Sequence, residues 1–301
     1  MKNGQIDNTA NGFLEKVREK FGRLGHEDEV VRGELSRVSA LRQQLKDTFG
    51  VEWNNCKLLD VGCGQLLGHA YIFGVDNEVV GIDMALPFNF PYVADFIKTI
   101  RQCGIQRAVQ TAVRQMLGMD RRFRNALIRS LEIETLPEVK AHLMDAQNLL
   151  FDENTFDGIY SFSVFQYIDN LGVAAEQLYR VLKPGGVAYL QLHLYTSLGG
   201  SDHPVILTEP GKYPSWGHLR RSTPYYRKHG LPVNGLRLAE YKEIFESTFD
   251  YVHYVIYEAE QQKARPLLTP SVRAELAEYS DEELLTSSLT ILARKAEQRG
   301  K

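Results

Sequence analysis

Cysteine is scarce in this sequence: Cys56, Cys63 and Cys103 are the three among 301 residues, and none lies in a C-x-x-C pair. That excludes a disulfide framework and a zinc site built on paired cysteines. No apolar run approaches the ~18 residues a membrane span needs. The opening Met1-Lys2-Asn3-Gly4-Gln5 leads into polar sequence without the apolar stretch of a secretory signal. Neither sign of charge dominates, with 35 basic residues against 38 acidic and a formal net charge of −3. The overall basicity that holds a non-specific nucleic-acid binder to its target is therefore missing. There is no internal repeat, no low-complexity tract, and no H-E-x-x-H or clustered acids to suggest a metal. These absences leave a protein expected to be cytoplasmic, with no pattern that suggests a metal. Its 44% hydrophobic content is enough for a sizeable core.

The apolar pattern changes once along the chain. Phe13-Leu14, Val17 and Phe21, then Val30-Val31, Leu35, Val38, Leu41 and Leu45, recur at helical spacing. Residues 1–55 thus read as a helical cap, followed by one domain over 56–301. Beyond Cys56, short apolar strands alternate with helices: Lys57–Gly62, Glu78–Asp83, Val139–Met144, Phe156–Ser163 and Val187–Tyr195. Tyr251–Tyr257 and Ser288–Ala293 are two more strands, with a helix over Leu238–Phe249 before them. Alternation of this kind predicts an α/β fold: a seven-stranded, mostly parallel sheet with helices on both faces.

Two stretches are too long for simple connections. The first, 84–138, reads as helices over 92–103, 105–117 and 120–132, broken at Gly104 and Gly118. The second, 196–235, is rich in proline and glycine, yet Tyr213, Trp216, Tyr225 and Tyr226 argue against disorder. Both are expected to form a lid over one edge of the sheet.

The strongest constellation is Leu58-Leu59-Asp60-Val61-Gly62-Cys63-Gly64-Gln65, a strand running into a glycine turn and then a helix. Glycine there allows a tight turn and close approach of backbone to ligand. A second strand ends in Asp83, whose carboxylate can accept hydrogen bonds from ribose hydroxyls. The dinucleotide fingerprint requires a third glycine where this chain has Leu67. Asp60, just ahead of the turn, suits a cationic amino group better than a diphosphate, which gains from helix N–H groups. S-adenosylmethionine carries an adenosine, a sulfonium and an ammonium but no phosphate, so it fits better than NAD.

These residues resemble motifs of the class I S-adenosylmethionine-dependent methyltransferases. Leu58–Gln65 is similar to the first motif of that family and Gly81-Ile82-Asp83-Met84 to the second. Met144-Asp145-Ala146-Gln147 resembles the segment that meets the adenine amino group. Phe156–Ser161, Phe165-Gln166-Tyr167-Ile168 and Leu182-Lys183-Pro184-Gly185-Gly186 continue the likeness, which covers roughly 57–195. The resemblance implies a Rossmann-like sheet of order 3-2-1-4-5-7-6 ending in an antiparallel hairpin. It places Asp60, Gly62 and Gly64 around the methionine moiety, Asp83 on the ribose and Met84 against adenine. Asp145, Ala146 and Gln147 fall at the adenine edge, and Ser161 at the end of the fourth strand. Gln166 stands where many members carry histidine, which removes one candidate base.

Acceptor candidates follow from position. Ligands of an open parallel sheet bind beyond the carboxyl ends of its strands, and the fifth strand leads to His193 and Tyr195. Three of the eight histidines, His203, His218 and His229, fall in the loop that follows. A hydroxyl acceptor must lose a proton, so His203 and then His193 are the candidate bases. Gln166, Tyr167, Tyr195, Trp216, His218 and Arg220 are the candidate acceptor contacts. Between Lys98 and Arg129 stand eight basic residues and one acid, Asp120, with Arg107, Arg114 and Arg121 spaced by seven. That is either a solvated helix face or a surface for an anionic acceptor or acidic carrier. Ser161-Phe162-Ser163-Val164 lacks the prolines of DNA amino-methyltransferases, so nucleic acid is disfavoured. The expected activity is O-methylation of a small, medium or glycan-like acceptor, with S-adenosylmethionine as cofactor. The rival readings are a non-catalytic S-adenosylmethionine sensor or partner subunit, a C- or N-methyltransferase, and an NAD-dependent oxidoreductase.

Overall fold

The computed structural model describes residues 5–6, 25–85, 105–203, 205–206, 209–230 and 232–297. The expected helices on the Phe13–Phe21 stripe and over 92–103, with Lys98, Arg101 and the break at Gly104, lie outside the described residues. So does the side chain of Arg107.

Seven strands form one sheet: β1 (Lys57–Val61), β2 (Glu78–Asp83), β3 (Lys140–Leu143), β4 (Phe156–Phe162), β5 (Leu182–His193), β6 (Tyr251–Ile256) and β7 (Ser288–Arg294). Their order is β3-β2-β1-β4-β5-β7-β6, as expected from the resemblance. β1 pairs in parallel with β2 and with β4, β2 pairs in parallel with β3, and β6 and β7 are antiparallel. The burial of the strands explains the order. Leu58, Leu59 and Val61 of β1 are buried, as suits a central strand covered on both faces. β3 and β6 carry lysine, histidine and tyrosine at partly exposed positions, as suits the two edges.

β5 begins five residues earlier than its apolar run suggests. Gly185, at φ +81°, donates its N–H to the carbonyls of Lys295 and Ala296, which draws the Lys-Pro-Gly-Gly turn into the strand. The connection between β6 and β7 is not a simple hairpin. It carries α7 (Glu258–Ala264), α8 (Pro270–Glu275) and α9 (Asp281–Leu285), helices too short to show a helical period. Their legible signals are the Thr269-Pro270 start of α8 and the capping box Ser280/Glu283 of α9.

The chain divides into two compact units, one of residues 17–161, 177–189 and 295–301, the other of residues 1–16, 162–176 and 190–294. In the first, α1 (Glu27–Phe49) has Glu27, Asp28 and Glu29 in its first turn and Gly50 in the left-handed conformation at its end. It buries Val31, Val38, Leu41 and Leu45, the expected stripe, and packs on α2 (Gly68–Phe73). The long β2–β3 connection contributes α3 (Ile105–Met116) and α4 (Met119–Leu131) to the same unit, and α1 packs on α4 as well. Gly118, at φ +65°, separates α3 from α4, so the arginine row at 107, 114 and 121 does not lie along one helix. The second unit holds α6 (Leu238–Thr248) and the whole 196–235 segment. α5 (Leu171–Val181) precedes β5.

Candidate functional site

In the first unit, the nucleotide-type candidates converge at the carboxyl ends of β1, β2 and β3. Gly62 and Gly64 take φ of +80° and +64°, a region a side chain would strain. The backbone N–H groups of Gly62 and Cys63 both donate to the Ile82 carbonyl, at 2.8 and 3.1 Å. This brings the turn against β2 so closely that a Cβ on Gly81 would sit 2.8 Å from Cys63 Sγ. The Asp83 carboxylate then accepts from Gly64 N–H at 2.9 Å through Oδ2 and from Ala85 N–H at 2.7 Å through Oδ1. Each oxygen keeps a further lone pair for a ligand hydroxyl. Met84 follows with 62% of its surface exposed, an open apolar face beside that carboxylate. Past β3, Asp145 accepts from Gln147 N–H at 2.9 Å, and the Gln147 amide turns back on the same carboxylate. Ala146 is buried between them in sequence.

Asp60 is only 2% exposed. Burial pushes its carboxyl up to about 7, while the His69 charge and the Tyr160 phenol pull it down and Asp83 and Glu34 push it up. His69 is ion-paired with Glu34 of α1. Asp60 Oδ2 is buried and makes no hydrogen bond of ordinary geometry. Ser161 is placed differently from what the resemblance implies. Its side chain is fully buried and its hydroxyl donates to the Val61 carbonyl at 2.7 Å, tying β4 to β1 rather than facing a ligand.

Sequence reasoning missed Gln65, the residue after the second turn glycine. It is buried, and its amide oxygen accepts from Thr111 Oγ1 at 2.8 Å and Arg114 Nη1 at 3.0 Å. Arg114 also grips both carboxylate oxygens of Asp120. The insertion helices therefore hold the glycine turn, and Arg114 is neutralised within the protein. Arg121, Arg122 and Arg124 of α4 remain exposed. The signal in sequence was the one acid, Asp120, inside a basic segment.

In the second unit, the loop histidines have distinct roles fixed by their partners. His218 is fully buried; its Nε2 lies 2.8 Å from the Tyr195 carbonyl and its Nδ1 2.9 Å from the Tyr213 hydroxyl. A carbonyl can only accept, so Nε2 carries the proton and Nδ1 accepts from Tyr213. Tyr213 O then accepts from His218 N–H at 3.0 Å and from Ser201 Oγ at 3.0 Å. Burial drives the His218 imidazole down to about 3, so it stays neutral and fully occupied. His203 is 3% exposed, and its Nδ1 accepts the Val205 N–H at 3.2 Å. The neutral ring therefore carries its proton on Nε2 and presents a donor. That arrangement corrects the expectation of His203 as a general base. His193, the last residue of β5, is exposed.

Trp216 is fully buried among Leu219, Ala264, Val272, Leu276, Leu284 and Leu285, and its Nε1–H donates to the Leu284 carbonyl at 3.0 Å. It anchors the loop to the β6–β7 connection and offers no face to an acceptor. Arg220 donates to Glu275 at 2.6 Å and to the Ser215 carbonyl at 3.2 Å, so its charge is already matched. Tyr195 lies between two histidines, its ring centroid 5.3 Å from His218 and 5.4 Å from His229. Tyr167 donates to Asp202 Oδ2 at 2.5 Å, and burial together with that carboxylate raises its phenol well above the usual range. Asn234, also missed from sequence, donates to the carbonyls of Phe165 and Ile168 and accepts from Tyr241, fixing the turn that carries Gln166 and Tyr167. Among the described residues no group of three or more His, Cys, Asp or Glu is arranged to hold a metal, and no helix is long and apolar enough to cross a membrane.

Residues 102–190, just under a third of the chain, match the family described as methyltransferase domain. The chain is 26% identical over 181 residues to the biotin biosynthesis bifunctional protein BioHC of Cellvibrio japonicus (strain Ueda107), a match covering 58% of this chain and 26% of that protein. It thus spans about a quarter of the length of that curated relative. Among solved structures, phosphoethanolamine N-methyltransferase 2 of Haemonchus contortus in complex with S-adenosyl-L-methionine is 18% identical, with a TM-score of 0.46 over 86% of this chain and 53% of that one. An S-adenosylmethionine-dependent methyltransferase from Mesorhizobium loti is 12% identical, with a TM-score of 0.45 over 85% and 96% of the two chains.

Proposed function

We propose that this chain transfers a methyl group from S-adenosylmethionine to the hydroxyl oxygen of a small or glycan-like acceptor. It carries a class I methyltransferase domain, for which S-adenosylmethionine is the cofactor. The observation that carries the reading is the coupling of Asp83 to the glycine turn through Gly64 N–H at 2.9 Å. That bond holds a carboxylate with spare lone pairs against a backbone stripped of side chains, next to the exposed face of Met84. A diphosphate would meet two carboxylates here, Asp60 and Asp83, and a cationic methionine moiety would be matched by them.

The residues fit the cofactor. Asp60, whose buried Oδ2 makes no hydrogen bond of ordinary geometry, would hold an ammonium; Asp83 would take ribose hydroxyls and Met84 the adenine face. The Asp145–Gln147 turn offers polar groups for the adenine edge. Bound there, the cofactor supplies an electrophilic methyl group, so the protein's task is alignment. Two of the arginines offered for an anionic acceptor, Arg114 and Arg220, are engaged within the fold, whereas Arg121, Arg122 and Arg124 are exposed.

Calorimetric titration with S-adenosylmethionine, S-adenosylhomocysteine and NAD tests the cofactor half. Micromolar binding of the first two and none of NAD is the expected result. Absence of binding, or tighter binding of NAD, would sink the reading.

Asp60 also sets a pH dependence. Its carboxyl titrates near 7 in the free protein because burial disfavours the charge, and a cationic ligand binds the ionised form. Affinity should therefore fall as pH drops below 7, approaching about tenfold per pH unit. Asp60→Asn should remove this dependence. The sign for stability is opposite. A carboxyl whose folded pKa lies above its unfolded value favours folding only while protonated, so stability declines as pH rises from about 4 to about 7 and then levels. Asp60→Asn should accordingly raise the melting temperature at pH 8 while weakening binding. A fall in melting temperature would contradict the assignment of Asp60 as a buried acid held for its ligand.

A further inference from the structure

The loop histidines leave one ring nitrogen unused. His203 Nδ1 is filled by the Val205 N–H and both ring nitrogens of His218 are engaged, but His229 Nδ1 is buried without a hydrogen-bond partner. The residue is only 7% exposed. A second buried side chain shares this condition. Gln166 is 2% exposed, and neither its amide oxygen nor its amide nitrogen makes a hydrogen bond of proper geometry, although the amide lies beside the Tyr167 phenol. Buried polar atoms left in this state are destabilising unless water or a ligand fills them.

The backbone brings these two residues to one place within the second unit. Gly230 N–H, next to His229, donates to the Ser201 carbonyl at 2.9 Å. Asn234 N–H, four residues further, donates to the Gln166 carbonyl at 2.8 Å. Tyr167, adjacent to Gln166, donates to Asp202, adjacent to Ser201, at 2.5 Å. The segments 166–167, 201–203, 229–230 and 232–234 therefore close on one another. Asp202 lies close enough to His229 for its charge to act on that ring.

We propose that Gln166, Asp202 and His229 form a binding site for an uncharged, hydroxyl-bearing ligand. The open atoms are an imidazole nitrogen, an amide that both donates and accepts, and a carboxylate with lone pairs beyond the one Tyr167 fills. Adjacent sugar-type hydroxyls, each of which donates and accepts, match such a mixed set. Phosphate or carboxylate ligands would meet the Asp202 charge without a fixed cation to offset it. Arg220 is bound to Glu275, and Arg227 is exposed with its guanidinium 5.2 Å from the Tyr226 ring centroid. The proposal deepens the methyltransferase reading by naming the class of acceptor, and it rests on that reading only in calling the ligand the acceptor.

The test is a printed glycan array carrying neutral, uronic-acid and phosphorylated glycans, probed with the full chain in the presence of S-adenosylhomocysteine. Retention on neutral glycans is expected. His229→Phe and Gln166→Leu should each reduce it about tenfold, the usual effect of losing one hydrogen bond to a buried group. His229→Gln, which keeps an acceptor, should restore retention to within about threefold. Should His229→Phe fail to fold by circular dichroism, Gln166→Leu and His229→Gln decide the matter alone. Retention confined to uronic-acid or phosphorylated glycans overturns the proposal, and so does insensitivity to Gln166→Leu. Retention on no glycan also overturns it and means the buried atoms are filled by water only. Calorimetry with S-adenosylmethionine on the same preparations separates the two readings. Cofactor binding without glycan retention removes this site alone, whereas glycan retention without cofactor binding removes the methyltransferase reading and leaves the site.

Discussion

Asp83→Ala is expected to weaken binding of S-adenosylmethionine at least about a hundredfold, because hydrogen bonds to a charged group contribute roughly 1.5–3 kcal/mol each and two are lost together. The carboxylate has two tasks in this protein. It closes the glycine turn, accepting from Gly64 and Ala85, and it offers its remaining lone pairs to the ligand. Alanine abolishes both and leaves the Gly64 N–H without its partner. Asp83→Asn keeps one acceptor oxygen for the turn, so its loss should be about tenfold, near that of removing charge assistance from a hydrogen bond. Titration calorimetry with far-UV circular dichroism as a folding control measures both. Unchanged affinity in the alanine variant would show that the strand-end acid serves the turn alone.

Trp216→Ala should destabilise the protein by about 3–5 kcal/mol, the range for truncating a large buried aromatic side chain. Trp216 is fully buried in the cluster with Leu276, Leu284 and Leu285. Its removal leaves a cavity, and it also strips the Leu284 carbonyl of the indole N–H that lies 3.0 Å away. Equilibrium denaturation is expected to show the midpoint falling well below that of the parent protein. Trp216→Phe, which refills most of the volume but not the hydrogen bond, should recover more than half of the loss. A residue whose task was to contact an acceptor would behave otherwise: alanine would leave the denaturation midpoint in place, and that outcome would return Trp216 to the acceptor site.

Much of the first unit was legible in the sequence because its signals are local. An apolar strand, two glycines and an acid at the next strand's end lie within some twenty-five residues, from Leu58 to Asp83. Their spacing alone carries the turn and the carboxylate that closes it. The strands themselves were legible from their short apolar runs, whereas their order was implied by the resemblance; the burial of β1 and the exposure of β3 and β6 agree with that order. Gly118 marked a helix boundary for the same kind of reason, a residue free to enter the left-handed region.

The histidines show where that legibility stopped. His203, His218 and His229 have the same side chain, and sequence could only rank them by position. Tertiary structure decided among them by supplying different partners: Val205 N–H for one, Tyr195 and Tyr213 for another, and for the third a ring nitrogen left without a hydrogen bond. Ser161 and Trp216 were reassigned likewise, by Val61 one hundred residues earlier and Leu284 sixty-eight residues later. Periodicity and turn chemistry are properties of neighbouring residues, so the chain by itself determined the sheet and its glycine turn. Protonation state, tautomer and burial depend on which distant groups the fold brings within hydrogen-bond distance, and those only the tertiary structure could decide.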